Sequence, residues 1–380
     1  MGQIDMNILG GRIREARQRA ALSQGELAQA AKIDRTALTK IENGTRKVTA
    51  LELADIAEAT GVRMIAFFEE TLPALISHRS STGLDTADSQ IDALLARLAG
   101  DVELVSGLSS PQDLHFDTAK HVAERGQEWQ SLVNEAEDWA QKIRELMELT
   151  SHEPITDLAN RVSYLGLLAF SRDIGPDTAD AGITLLRQGG VCLVNSSMKV
   201  GRRRLALAHE LGHYLLADEY TIDWRVSSST SSSRVETQLD RFARALLLPA
   251  EETTRKWKSW RSGRGERSAA LLLASEYRVD MSTLAFRLQE LNLIDSECAS
   301  SIREYRQTRA DMVELDLYVP EEEMRGTTVP KVYAKTVLKL VRQEKISRVR
   351  AIDLLLNTFE EADLPNPRER HPEEIWKYVS

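Results

Sequence analysis

Residues Leu205–Asp218 read LALAHELGHYLLAD, and the two histidines inside this apolar run decide what the surrounding chain has to be. On a helix, positions four apart lie one turn above each other, so His209 and His213 project side by side and can offer ring nitrogens to one metal ion. Glu210 is turned about 100 degrees from His209, which sets it beside such an ion rather than on it, where a general base for a metal-bound water must stand. Leu205, Ala208, Gly212 and Leu216 share the histidine face. Gly212 places no side chain between the two imidazoles and lets a second element come close. The plainer alternative is an amphipathic core helix that happens to hold two structural histidines.

A zinc ion needs a third protein ligand. Leu216 and Glu219 stand three and six residues beyond His213, where a metzincin would carry Gly and His, so that solution is excluded. Downstream, VETQLDRFARALLLP (235–249) offers Glu236 and Asp240 four apart on one helical face. Its Leu239, Phe242, Ala243, Leu246 and Leu247 form the apolar face that would pack on the HELGH helix. Either carboxylate could complete a two-histidine, one-carboxylate set with an open position for water. Glu236 is the preferred ligand, and Asp240 is the reserve or the partner that orients a histidine. Without HELGH nearby, the two acids would read as solvated charge.

The first 70 residues follow a different grammar, a run of short capped helices. Ser23 with Glu26 makes a capping box, Asp34 and Thr49 stand at N-cap positions, and Gly44 and Gly61 stand where helices should end. Leu27, Ala28, Ala31, Ile33, Leu38 and Ile41 supply an apolar seam on two helices joined near Lys32–Asp34, a helix-turn-helix layout. Between Arg12 and Lys47 there are nine Lys or Arg against four Asp or Glu, although the whole chain carries a net charge of -9. A basic face on an acidic body excludes a protein that coats nucleic acid all over, and fits a small DNA reader attached to something else.

The remaining organisation is coarser. Residues 71–115 contain the polar stretches RSSTGLDTADS and GLSSPQD around one short helix, DALLARLAG, and read as a loosely packed connector. Val122, Trp129, Leu132, Val133, Ala136, Trp139, Ala140, Ile143 and Leu146 then recur by threes and fours, the stripe of a long helix that meets either a second copy of the chain or its own neighbouring domain. The runs LLAF, ITLL and VCLV predict three short strands, the last two joined by the turn RQGG. Helix pairs fill the last third. No apolar run reaches the roughly 18–20 residues of a membrane helix, and MGQIDMNILGGR lacks the pattern of a secretory signal, so a cytoplasmic protein without membrane contact is expected. Cys192 and Cys298, far apart, imply neither a disulfide framework nor a thiolate site.

In its order of segments, VCLVNSS, RRRLALAHELGHYLLAD, ETQLDRFARALLLP and YRVDMSTLAFRLQEL, the stretch of about 153–295 resembles the ImmA/IrrE family of metallopeptidases. The resemblance implies zinc held by His209, His213 and Glu236, with Glu210 as catalytic base. Leu239 and Asp240 stand where the family's E-x-x-A-N-x-F-A segment has Ala and Asn. SQGELAQAAKIDRTALTKIENGTRKVT resembles the lambda-repressor-like (XRE) helix-turn-helix family. That likeness implies a phosphate contact at Gln24, a recognition helix carrying Arg35, Thr36, Thr39 and Lys40, and Asn43 at its end. Arg35, Thr36 and Thr39 are the residues expected to specify sequence.

The expectation is therefore a mainly α, multidomain chain. It has a five-helix DNA-binding domain at 1–70, a linker and long helix for dimerisation at 71–150, an α+β zincin-like domain with a small sheet at 151–295, and a helical region at 296–380. The partners it implies are double-stranded operator DNA read as a homodimer, and a protein substrate or toxin from an adjacent gene. Two functions follow: a regulator whose peptidase cuts a repressor or partner in a stress, mobile-element or toxin-antitoxin setting, or a non-catalytic antitoxin or autorepressor whose zinc domain senses a signal or docks a toxin.

Overall fold

The computed structural model describes residues 6–19, 22–60, 67, 75–79, 85–116, 135–150, 152–176, 178–223, 229–317 and 323–366. The chain divides into two compact units, 1–73 and 74–380.

In the first unit, helices α1 (Met6–Arg19), α2 (Gln24–Ala30), α3 (Arg35–Glu42) and α4 (Ala50–Thr60) enclose a core of Ile13, Leu27, Leu38, Ile41, Leu53, Ile56 and Phe67. The caps form as the sequence predicts. Ser23 Oγ accepts from the Glu26 N–H while Glu26 returns a carboxylate to the Ser23 N–H, and Thr49 and Glu52 repeat the exchange. Asp34 accepts from the Thr36 N–H and starts α3. Lys32 takes a left-handed φ of 53° in the turn between α2 and α3. Gly10 lets α1 cross the end of α3, since a Cβ there would lie 2.3 Å from the Ile41 carbonyl oxygen. Gly61 and a fifth helix fall outside the described residues.

The second unit is built on a four-stranded sheet, β1 (Leu75–Arg79), β2 (Leu167–Arg172), β3 (Ala181–Leu185) and β4 (Gly190–Asn195), in the order β1-β3-β4-β2. The expected turn closes an antiparallel β3–β4 hairpin through Leu186 N–H to the Gly189 carbonyl. β2 pairs with β4 in parallel, and the bridge between Ser171 and Thr328 extends that edge. Alternation along the strands sorts the side chains. Leu167, Ala169, Ile183, Cys192 and Val194 enter the core that contains the HELGH helix. Leu168, Phe170, Val191 and Leu193 are buried outside that core, and Phe170 meets the ring of Tyr333 edge-on.

Two expectations need correction, and the described part of the long stripe takes the second of its two alternatives, packing within the chain. The stretch from residue 85 is no loose connector: α5 (Asp85–Leu108) packs on β3 and β4 with Ile91, Leu95, Leu98, Val102 and Val105 fully or almost fully buried. Burial on that scale stabilises by roughly 1.5–3 kcal/mol per large side chain, which a solvated linker would forgo. The long stripe is described only as α6 (Ala136–Leu146), and it is used inside the chain, with Trp139 stacked on Phe242 at 4.1 Å. Val122, Trp129, Leu132 and Val133 lie outside the described residues. Boundaries at 150 and 295 cut through one body, because α15 (Lys331–Arg342) packs on α5 and Arg350 of α16 (Arg348–Leu354) is paired with Asp101 at 2.8 Å.

Buried arginines join the layers. Arg144 donates to the carbonyls of Leu246 and Thr150, Arg204 to Ile155 O and the Glu323 carboxylate, and Arg287 to Leu248 O and Glu137. Each has several acceptors, the condition under which a buried cation is tolerable. The run Arg202–Arg204 is thus structural rather than a nucleic-acid patch: Arg202 grips Asp180, and Arg203 wraps the carbonyls of Ser196 and Met198.

Candidate functional site: a metal centre and a nucleic-acid interface

HELGH lies in the middle of α8 (Val200–Asp223), and Glu236 and Asp240 lie on α9 (Ser229–Leu247), which packs along it. The approach is close at Gly212, where a Cβ would stand 2.6 Å from Leu239 Cδ2 and 3.2 Å from Phe242 Cδ1. A bare backbone at that point brings the Glu236 side of α9 level with the histidines. His209, Glu210 and His213 are buried, while the Glu236 side chain is 43% exposed, so the group opens toward solvent on the α9 side.

His209, His213 and Glu236 bring one ligand atom each within 4.8 Å of one another. His209 Nε2 lies 3.2 Å from Glu236 Oε2 and 3.2 Å from His213 Nε2, and His213 Nε2 lies 3.5 Å from Glu236 Oε1. Donors held at about 2.0–2.1 Å by a tetrahedral zinc stand about 3.3–3.4 Å apart, so the triangle has the right size. Burial disfavours a charge on His209, yet hydrogen bonds to Asp240 and Glu236 and the nearby charge of Glu210 outweigh it and lift its pKa to about 9. Burial likewise opposes ionisation of Glu236, but its bonds to the two histidines hold its carboxyl far below the usual range. A proton and a divalent cation answer the same demand, since converging lone pairs and a carboxylate need positive charge between them.

Asp240 takes the supporting place. Its Oδ1 lies 3.0 Å from His209 Nδ1, which fixes the ring so that Nε2 faces the donor triangle. Arg244, one turn on, stands 3.9 Å from the other Asp240 oxygen and 2.7 Å from Glu290 of α12 (Met281–Glu290). Arg244 and Glu290 escaped the sequence reading, although the series Glu236, Asp240, Arg244 at helical spacing was a usable signal. Cys192 sits under the site, and burial followed by the charge of Glu210 pushes its thiol well up, so it stays a neutral core residue.

On the first unit, α3 presents Arg35, Thr36, Lys40 and the C-cap Asn43 to solvent, with Thr39 half-buried. The Thr36 hydroxyl donates to Asp34, and Asn43 Oδ1 accepts from Arg14, so both also serve the fold. Gln24 and Thr39 meet at 3.4 Å, and Gln24 Nε2 donates to Glu42 at 2.8 Å. Glu42 was missed from the sequence. It is 2% exposed and accepts Arg17 Nε at 2.7 Å and Arg17 Nη2 at 3.1 Å, which ties α1, α2 and α3 together.

Residues 163–289 match the peptidase M78 family model, described as an IrrE N-terminal-like domain, and residues 13–67 match the model described as helix-turn-helix. The chain joins a helix-turn-helix domain to an IrrE-like domain of a metallopeptidase family. No curated protein and no solved structure matches it. The helix-turn-helix match supports DNA binding. The IrrE-like match spans HELGH, Glu236 and Asp240. Among the described residues no helix is long and apolar enough to cross a membrane.

Proposed function

We propose that this protein is a cytoplasmic, operator-binding transcriptional regulator whose second unit is a zinc-dependent endopeptidase. The observation that carries the enzyme reading is Glu210, fully buried beside two histidines that converge with Glu236, a position that a purely structural metal site does not need filled by a base. His209, His213 and Glu236 hold the metal, and Asp240 keeps the Nδ1 side of His209 occupied so that its Nε2 lone pair is available. Zinc, when bound, supplies a water of lowered pKa and polarises the carbonyl of the bond to be cut. Glu210 takes the proton from the attacking water and passes it to the departing amine.

DNA binding is assigned to α3. Arg35, Thr36 and Thr39 meet base edges, Gln24 at the start of α2 meets a phosphate, and Lys40 and Asn43 complete the contact. A homodimer reading two half-sites and a substrate or toxin partner encoded nearby, in a stress, mobile-element or toxin-antitoxin setting, complete the proposal. The fusion of reader and metal centre in one chain favours a second reading, a non-catalytic antitoxin or autorepressor.

Glu210→Gln separates the two. The variant should keep its zinc, measured by elemental analysis, and lose cleavage of co-expressed neighbour proteins by about 10²–10⁴-fold. Repression and cleavage patterns identical to wild type would remove the enzyme reading.

A further inference from the structure

A cleft of about 1090 Å³ opens beside the candidate metal site, its lining reaching Asp240, the partner of His209. Its lining is sharply uneven in charge. Six cations, Lys199, Arg202, Arg244, Arg278, Arg303 and Arg306, face three carboxylates, Asp180, Asp240 and Asp280, on a chain whose net charge is -9. Two of the cations are matched by acids, Arg202 by Asp180 and Arg244 by Glu290. Others are held by neutral acceptors that leave their charge in place: Arg303 donates to the Gln289 amide oxygen and Arg306 to the carbonyls of its own turn. Lys199 is exposed at the rim.

The floor is apolar, formed by Leu205, Leu271, Met281 and Phe286. Phe286 is 48% exposed, an unusual position for a large ring, and the guanidinium carbons of Arg303 and Arg244 lie 4.6 and 5.7 Å from its centroid. An apolar platform edged by cations takes a large apolar side chain with carboxylates on either side. A single-stranded nucleic acid would instead favour successive exposed rings and a wall without carboxylates, and the cleft supplies one exposed Phe, a half-buried Tyr305 and three Asp.

We infer that this cleft binds an acidic polypeptide segment carrying a large apolar side chain, the part of a substrate chain next to the bond presented to the metal centre. The inference rests on the peptidase reading above and names its substrate class. It makes Phe286 the platform for the apolar side chain, and Arg303 and Arg306 the selectors for acid.

The test uses the full chain carrying Glu210→Gln and loaded with zinc, so that nothing is cut while binding is read. Fluorescence anisotropy follows a labelled glutamate-rich peptide with one central leucine, its lysine-rich counterpart, a glutamate peptide with serine at the centre, and an oligo-dT strand. The acidic leucine peptide should bind at least about tenfold more tightly than each of the others at low salt, and the advantage over the lysine peptide should shrink as salt rises. Arg303→Glu with Arg306→Glu should abolish that preference, and Phe286→Ser should erase the difference between leucine and serine. Lys199→Glu, on the exposed rim, repeats the charge test if the double variant does not fold. Equal binding of the lysine peptide, tighter binding of oligo-dT, or indifference to these substitutions overturns the inference. Selective binding without cleavage by the Glu210 protein would defeat the peptidase reading alone, whereas cleavage of a partner without peptide selectivity would defeat only the inference.

Discussion

Removing the Glu42 carboxylate should destabilise the helix-turn-helix unit while leaving the second unit standing. The carboxylate is buried and receives Arg17 Nε and Nη2 and Gln24 Nε2, with Arg14 Nε 3.7 Å from it, so Glu42→Ala leaves a mostly buried guanidinium with the Leu22 carbonyl as its remaining acceptor. Breaking one partner of such a pair costs about 3–5 kcal/mol. A unit of this size holds roughly 4–11 kcal/mol in all, so the loss takes a large share of it and lowers the melting temperature by about 12 °C or more. All six tryptophans lie beyond residue 73, so tryptophan fluorescence reports the second unit alone while far-ultraviolet circular dichroism sees the helices of both. Glu42→Ala should bring forward an early dichroism transition and abolish operator binding, with the fluorescence transition unmoved. Burial alone would raise the Glu42 pKa, but the bonds from Arg17 and Gln24 outweigh it and leave the folded value below the ordinary 4.5. The wild-type contribution is therefore complete above that ordinary value and lost as pH falls through the folded one, and the variant should show a flatter acid limb. Replacing Glu42 and Arg17 together by Met should cost less than the sum of the single changes. A loss under about 1 kcal/mol, or additivity within about 0.5 kcal/mol, would refute the reasoning.

Three further outcomes follow from the same geometry. Gly212→Val drives a side chain into Leu239 and Phe242 and should cost about 1–3 kcal/mol of stability while prising Glu236 from the histidines, read as a fall in zinc affinity by chelator competition. Asp240→Ala should weaken zinc binding by about 10–100-fold and leave the melting temperature of the first unit unchanged. Arg35→Ala should relax sequence preference on the operator by about 1–3 kcal/mol if it reads a guanine, checked by binding to a panel of single-base variants across a salt series.

What could be read from the sequence was what repeats over short distances. The caps of α2, α3 and α4, the β3–β4 turn and the convergence of His209, His213 and Glu236 each depend on spacings of three or four residues, or on two amphipathic faces that fit only each other. Pairings across long separations left no such trace. Nothing near Ser171 announces Thr328, and nothing in the polar flanks of DALLARLAG shows that Ile91–Val105 faces a sheet assembled some 80 residues later. Buried charge was the other blind spot. Glu42, Arg144, Arg204 and Arg287 look in sequence like solvated surface, because a charged side chain carries no local mark of the partner that will neutralise it.

The pairing of Arg204 with Glu323 sets an order on the birth of the molecule. Arg204 belongs to the helix that carries HELGH, five residues before its first histidine, and its side chain is fully buried. A growing chain therefore delivers an interior cation more than a hundred residues before the carboxylate that answers it, and before Thr328 arrives to extend the sheet edge. The helix-turn-helix unit, compact within 1–73, can assemble as soon as it leaves the ribosome. A nascent or prematurely terminated product that stops short of Glu323 would thus hold a finished helix-turn-helix unit beside an IrrE-like unit whose buried Arg204 has no carboxylate to answer it.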